Sequence, residues 1–344
     1  MYYYIGLLLA ILLMRGFSYF FVNERQRRRF FFISAALLVI VFQGLRAFSV
    51  GTDIKVYISG YTAIGTSNAW TYQNFEIGYV ALNKLCCFFG LNARMFLVVS
   101  AILIQTPIFY TLYKYAERPL FSVLIYFAFG NFYMTFSGLR QSIAMTFCFL
   151  AYIHIKKRRP AGFVILVLLA MTFHTSAVIC LLLYPLYHHI RIDVNKLPFA
   201  MLALLVLFFC RRQLLTLFSL LYYGTTAEIV NTGAYTMFLF YLGIYLISFF
   251  VGEKDKDFEG LRNILLLLVF INCFASVHNH ISRAGFPLTL YLSFYIPTLI
   301  KRFRPRPSWL FYLPCYAACI AFFLLKLGSL GTLPFQFFFT EVLA

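Results

Sequence analysis

Apolar runs of membrane-crossing length follow one another along almost the whole chain, separated by short polar gaps whose charge is nearly all basic. A helix needs about 20 residues to cross a hydrocarbon core of about 30 Å. Inside that core every backbone N–H and C=O must be satisfied within the protein, which leaves helices as the repeating unit here. With 62% of its 344 residues hydrophobic and 12% charged, and a mean hydropathy of +0.83, the chain lacks the polar surface of a soluble domain. The expectation is an all-α, polytopic transmembrane bundle of about 12 spans, between about 10 and 13, forming a single integral membrane domain over residues 1–344.

The apolar runs cover residues 2–22, 30–44, 95–113, 120–136, 142–155, 161–187, 197–221, 235–251, 264–277, 284–300 and 309–327. The first lacks a basic leader or small-residue cleavage pattern and reads as a retained span. Residues 46–93 break the rhythm. They read as an extracytoplasmic loop in which 76–90, apolar but short, forms an interfacial or re-entrant helix. The run 161–187 is interrupted by Thr172-Phe173-His174-Thr175-Ser176 and reads as one long span or as two that turn at His174. Threading favours the turn, because Arg25/Arg27/Arg28/Arg29, Lys156/Lys157/Arg158/Arg159 and Lys301/Arg302/Arg304/Arg306 all belong on the cytoplasmic side by the positive-inside rule. Both termini then lie outside.

The formal charge of +18 does not indicate a nucleic-acid partner, because the basic residues sit between apolar runs and set topology. The eight cysteines include no CxxC and no zinc-like spacing, so small buried hydrophobes are their expected role. No metal and no cofactor is expected. There is no phosphate-binding glycine loop, dinucleotide fingerprint or nucleophile elbow.

Once the cytoplasmic loops are set aside, a second group of polar residues remains, all threaded to the outer side: Arg46, Asp53, Arg140, Gln141, His174, Arg211, Arg212, His278, His280 and Arg283. Each has a plainer reading. A terminal arginine can snorkel to headgroups, Arg211 and Arg212 above all; a histidine at a turn is usually a packing residue; Gly51-Thr52-Asp53 can be a turn in which Asp53 accepts local backbone bonds. Together, several arginines with a histidine and an aspartate on the side the rule leaves poor in arginine suggest an anionic ligand, phosphate or diphosphate.

These residues fall in motifs. Arg46-x4-Gly51-Thr52-Asp53-x3-Tyr57, then Glu76-x-Gly78-Tyr79, Gly138-Leu139-Arg140-Gln141-Ser142-Ile143-Ala144, Phe173-His174-x-Ser176-Ala177, and Arg283 before an aromatic-rich span together resemble the EpsG family of bacterial membrane proteins. That family is associated with exopolysaccharide and capsule assembly and is similar to Wzy-type O-antigen polymerases, which resemble GT-C-like integral-membrane glycosyltransferases. The resemblance implies a polymerase of the bacterial inner membrane. It would transfer a growing glycan from a polyprenyl-diphosphate carrier to a lipid-linked repeat unit on the extracytoplasmic face. It implies His174, with Asp53 as second choice, as the base, and Arg46, Arg140 and Arg283, helped by Gln141, as diphosphate ligands. Glu76, Tyr57, His278 and His280 are candidates for holding the glycan. Partners would be the lipid-linked oligosaccharide, membrane lipids, and a flippase and chain-length regulator of the same pathway. Two other classes stay open, a flippase or transporter of the same lipid-linked oligosaccharides and a membrane O-acyltransferase acting on the polysaccharide.

Overall fold

Helix is the form the apolar runs take throughout. Among the described residues (1–223, 235–251, 255–277, 281–303 and 309–341) the computed structural model holds no β-strand, only a bridge between Arg46 and Phe337. The helices are α1 (Tyr2–Phe17), α2 (Glu24–Gly44), α3 (Ile54–Thr66), α4 (Ile77–Phe88), α5 (Ala93–Tyr115), α6 (Pro119–Ala128), α7 (Asn131–Ser137), α8 (Leu139–Leu150), α9 (Tyr152–Lys156), α10 (Pro160–Phe173), α11 (Leu183–His188), α12 (Leu197–Tyr223), α13 (Thr236–Ile247), α14 (Lys256–Asn272), α15 (Phe286–Thr289), α16 (Leu292–Arg302), α17 (Trp309–Leu325) and α18 (Phe338–Glu341). The chain packs as two compact units, residues 1–178 with 309–344, and residues 179–308.

In the first unit α5 packs against α2 on one side and α8 on another, and α8 also carries α10. Polar side chains begin and end these helices. The Asn23 side chain accepts from the Arg25 amide at the start of α2, and Asn92 Oδ1 accepts from the Met95 amide at 3.0 Å at the start of α5. At the far end of α5 the Arg28 guanidinium donates to the carbonyls of Tyr113 and Ala116 at 2.6 and 2.7 Å. It thereby satisfies acceptors that a helix C-terminus leaves open. Deeper in, Gln105 Nε2 donates to Gln43 Oε1 at 2.6 Å, Gln43 Nε2 to the Thr135 carbonyl at 2.7 Å, and Tyr126 to Gln105 Oε1 at 2.9 Å. This fully buried row ties α2, α5, α6 and α7 together. In an apolar surround the alternative is an unmet polar group, so such rows specify which helix faces meet.

The basic clusters and the motif residues occupy opposite ends of this unit. α2 climbs from the Arg25–Arg29 cluster to Arg46 over about 30 Å. α8 and α9 descend from Arg140 to Lys156, and α10 climbs back from Pro160 to Phe173, with His174 next in the chain. The C-terminal residues close the motif end. Tyr4 donates to the Thr332 carbonyl at 2.9 Å, Gly51 N to Gly331 O at 2.8 Å, Thr52 N to Leu330 O at 3.0 Å, and Ala47 N to Gln336 O at 2.9 Å. Gly51 is required there, since its φ is +110° and a Cβ would lie 2.2 Å from the Phe136 carbonyl oxygen.

The second unit is organised on α14. Asn263 Nδ2 donates to the Leu186 and Ile190 carbonyls at 2.9 and 2.7 Å, and Tyr187 donates to Asp257 at 2.8 Å. Arg211 does not snorkel. Its Nε donates to Ser276 at 3.2 Å and its Nη2 to Tyr235 at 3.3 Å, joining α12 to the start of α13 and to the residues that follow α14.

Among the described residues, three helices are long and apolar enough to cross a membrane by themselves: Tyr2–Phe20, Ala93–Tyr115 and Leu197–Leu217. The pair Pro119–Ala128 and Asn131–Ser137, bent by 54°, makes a fourth if it is one broken span. The run 30–44 forms the unbroken upper part of α2, whose charged first turns keep that helix from counting as a span on its own, and several of the other apolar runs fold as shorter helices because breaks such as those at Ala151 and His174 interrupt them. Large apolar side chains stand exposed on the spans, Leu9 and Leu13 on α1 and Phe199, Leu202 and Phe209 on α12 among them. That surface suits lipid: the chain is a helical membrane protein. Replacing Gln105 by Leu should leave the Tyr126 hydroxyl and Gln43 Oε1 unmet and cost about 1–3 kcal/mol. A lowered unfolding midpoint in detergent micelles is the expected reading; an unchanged one would remove the row from the account of how this unit is held.

Candidate functional site

Glu76 is the residue on which the motifs meet. It is the N-cap of α4, and the next turn approaches α10 so closely that a Cβ on Gly78 would lie 2.3 Å from Thr172 Oγ1 and 2.8 Å from the Thr172 carbonyl oxygen. Only a hydrogen fits there, and the approach brings the Glu76 carboxylate to the end of α10. Its Oε1 lies 3.0 Å from His174 Nδ1 and accepts from the Thr175 amide at 3.3 Å. Its Oε2 accepts from Arg140 Nη1 at 2.5 Å, and the same nitrogen reaches the Asn74 carbonyl. One carboxylate therefore joins the start of α4, the start of α8 and the break after α10.

The ring of His174 is set by this arrangement. A carboxylate only accepts, so the facing Nδ1 carries the proton, and in the neutral ring Nε2 is left as the acceptor. The Arg140 guanidinium lies over the Phe75 ring at 4.7 Å, within hydrogen-bonding reach of the Tyr57 hydroxyl, and its Nε is buried without a partner among the described residues. Tyr57 in turn packs on Tyr79, ring centroids 5.5 Å apart. Burial pushes the Glu76 carboxyl up, but the hydrogen bond from His174 and the charge of Arg140 outweigh it and hold the group below its usual value. Burial pushes the Tyr57 hydroxyl up, so it stays a neutral donor. The side chains of Glu76, Arg140 and His174 are 15, 19 and 27% exposed, which leaves the cluster reachable.

Asp53 stands one turn before Tyr57 on α3. It is the N-cap residue, but its side chain makes no capping bond, and its half-exposed carboxylate acts on Tyr57 through its charge. Gln141, beside Arg140, is buried in α8. Arg46 is placed differently. It is 1% exposed, its Nη1 donates to the Gln43 carbonyl and its Nη2 to that of Phe136 at 3.3 Å, and the bridge to Phe337 covers it. Those contacts make Arg46 a clamp between the end of α2 and the end of α7, enclosed where Arg140 is open. Arg283 lies in the second unit, in the turn Ile281–Gly285 packed against α14. His278 and His280 fall outside the described residues.

A sequence model of the EpsG family matches residues 29–337. The chain belongs to the EpsG family. No curated relative and no solved structure matches it. All the described site residues of this EpsG-family protein lie within the matched stretch. Sequence reasoning assigned Glu76 and Tyr57 to sugar and missed that Glu76 ties Arg140 to His174. A signal was present: Glu76 is one of very few acids threaded to the motif side, and an acid in an apolar setting must find cations.

Two outcomes test the geometry. The folded Glu76 carboxyl is depressed, so its contribution to stability is full above the ordinary carboxylate range and is lost as pH falls through the folded value. The unfolding midpoint of the EpsG-family protein should therefore drop as pH is lowered below the ordinary carboxylate range, and Glu76→Gln should flatten that drop. Gly78→Val should lower the midpoint as well, and Thr172→Ala should restore only part of the loss, because the Thr172 carbonyl still meets the new side chain. Full restoration would discount the close approach of the two backbones.

Proposed function

We propose that this EpsG-family protein is a polysaccharide polymerase that moves a growing glycan from a polyprenyl-diphosphate carrier to a hydroxyl of a lipid-linked repeat unit. The observation that carries this reading is the convergence of Arg140 and His174 on Glu76 at 2.5 and 3.0 Å. The anomeric C–O bond to the diphosphate breaks and the diphosphate leaves with the electron pair. A new C–O bond forms to the acceptor oxygen, whose proton passes to Nε2 of His174. Glu76 holds His174 in the tautomer that can accept it. Asp53, half-exposed on the neighbouring helix, is the second candidate for orienting the acceptor hydroxyl.

Arg140 supplies positive charge where the diphosphate leaves. Its bond to Glu76 is single and partly exposed, so an arriving diphosphate can compete for the guanidinium, and its buried Nε–H is a donor still to be spent. When Arg140 turns to the diphosphate, Glu76 is left to His174 and the Thr175 amide, which links carrier binding to the orientation of the base. Tyr57 and Glu76 line the path of the sugar. Arg46 serves by fixing Phe136 and so the start of α8.

The end of the first unit opposite the basic clusters is extracytoplasmic in this reading, and the membrane is the bacterial inner membrane. Nucleotide donors are absent on that face, whereas lipid-linked diphosphates bring their own leaving group. Purified protein given lipid-linked repeat units should lengthen them without added nucleotide. Arg140→Lys and His174→Ala should each lower elongation by a factor on the order of a hundred or more, with little change in unfolding midpoint for Arg140→Lys. Units moved across vesicles without elongation would favour the flippase reading, and normal elongation by His174→Ala would pass the role of base to Asp53.

A further inference from the structure

The first basic cluster contains two kinds of arginine. Arg27 donates to the Phe21 carbonyl at 3.2 Å and lies over the Tyr19 ring at 4.9 Å. Arg28 is spent on the carbonyls that end α5. Arg25 and Arg29 differ: both are exposed, and neither guanidinium bonds to another described residue. Standing four apart on α2, they share a face. That face opens into a groove of about 730 Å³ between α2 and α5.

The groove changes character along its length. Arg25, Gln26 and Arg29 form its mouth, and below them Ile33, Ala36, Leu37 and Ile40 on α2 face Phe109 and Tyr110 on α5. From Arg29 to Ile40 the helix rises about 16 Å, about one leaflet of a 30 Å hydrocarbon core. A pair of cations above an apolar slot one leaflet deep is complementary in charge and length to a single anionic lipid. It is not complementary to a soluble anion, which would leave the slot empty, or to a neutral lipid, which would leave the cations unmatched.

We propose that this groove is a binding site for an anionic phospholipid of the leaflet at the basic end of the protein, with its phosphate between Arg25 and Arg29 and one acyl chain laid against Ala36. The site lies at the opposite end of the first unit from Glu76 and does not depend on the reaction assigned there. An occupied groove would fill the outer face of the α2·α5 pair, on which the buried Gln43–Gln105 row also depends.

Native mass spectrometry of the full chain, titrated in micelles with phosphatidylglycerol or phosphatidylcholine of matched chains, tests the site. Phosphatidylglycerol should be retained in preference. Arg25→Gln with Arg29→Gln should weaken its retention by about thirtyfold, whereas Arg27→Gln, which removes a charge from the same cluster, should leave it unchanged. Ala36→Trp, which fills the slot and keeps every charge, should also release the lipid; it decides the matter if the double arginine variant fails to fold. Preference for phosphatidylglycerol that survives Ala36→Trp, displacement of the lipid by millimolar inorganic phosphate, or tighter retention of a polyprenyl diphosphate would each overturn the proposal.

Discussion

The bond between one carboxylate and two basic side chains determines most of what is distinctive about this protein. A carboxylate placed among apolar helices is costly unless cations and hydrogen bonds compensate it. Glu76 has both: Arg140 on one oxygen, His174 and the Thr175 amide on the other. Three segments far apart in sequence are held together by that compensation. The pairing that stabilises the carboxylate also fixes the histidine ring and holds the guanidinium beside it, so structural and chemical roles rest on the same contacts.

Arg46 shows the other way an arginine can be kept in such a setting. It meets no carboxylate among the described residues; its Nη1 and Nη2 donate to the carbonyls of Gln43 and Phe136, its Nε is buried without a partner there, and the C-terminal residues close over it. The consequence reaches the site indirectly. Phe136 lies four residues before Arg140, and Ser137, next to it, donates to the Leu330 carbonyl and accepts from the Thr52 amide. The junction between α7 and α8 is thus fixed from three directions before Arg140 turns toward Glu76. An arginine motif can be essential to such a site without its guanidinium facing a ligand.

The parts of this arrangement that sequence made legible are those with a local cause. Apolar rhythm identifies helices in a membrane protein because a lipid-facing helix needs nothing but length and hydropathy. The break at His174 was visible because four polar residues, Thr172, His174, Thr175 and Ser176, interrupt an apolar run, and α10 ends at Phe173. The number of crossings was less legible, since a run such as 120–136 folds as two helices bent by 54° and hydropathy does not register a bend. The partners of Glu76 were out of reach: they lie 64 and 98 residues away, and no spacing rule connects them. The enclosure of Arg46 was out of reach for the same reason, because its partners Phe136 and Phe337 lie far along the chain.

The two ends of the first unit use the same residue type under different constraints. At the basic end the acceptors are backbone carbonyls, and Arg28 alone takes three of them, so it is absorbed into the fold while Arg25 and Arg29 are left over at the surface. At the motif end, acids are few and Arg140 is already matched by one of them. A surplus of cations favours holding an anion permanently, as a lipid headgroup is held. A matched pair favours exchange, because an incoming anion needs only to replace one bond to Glu76 and the displaced carboxylate still has His174. Among the described residues, the end built on Glu76 thus holds an internal competitor for its arginine, which the basic end does not offer to Arg25 and Arg29.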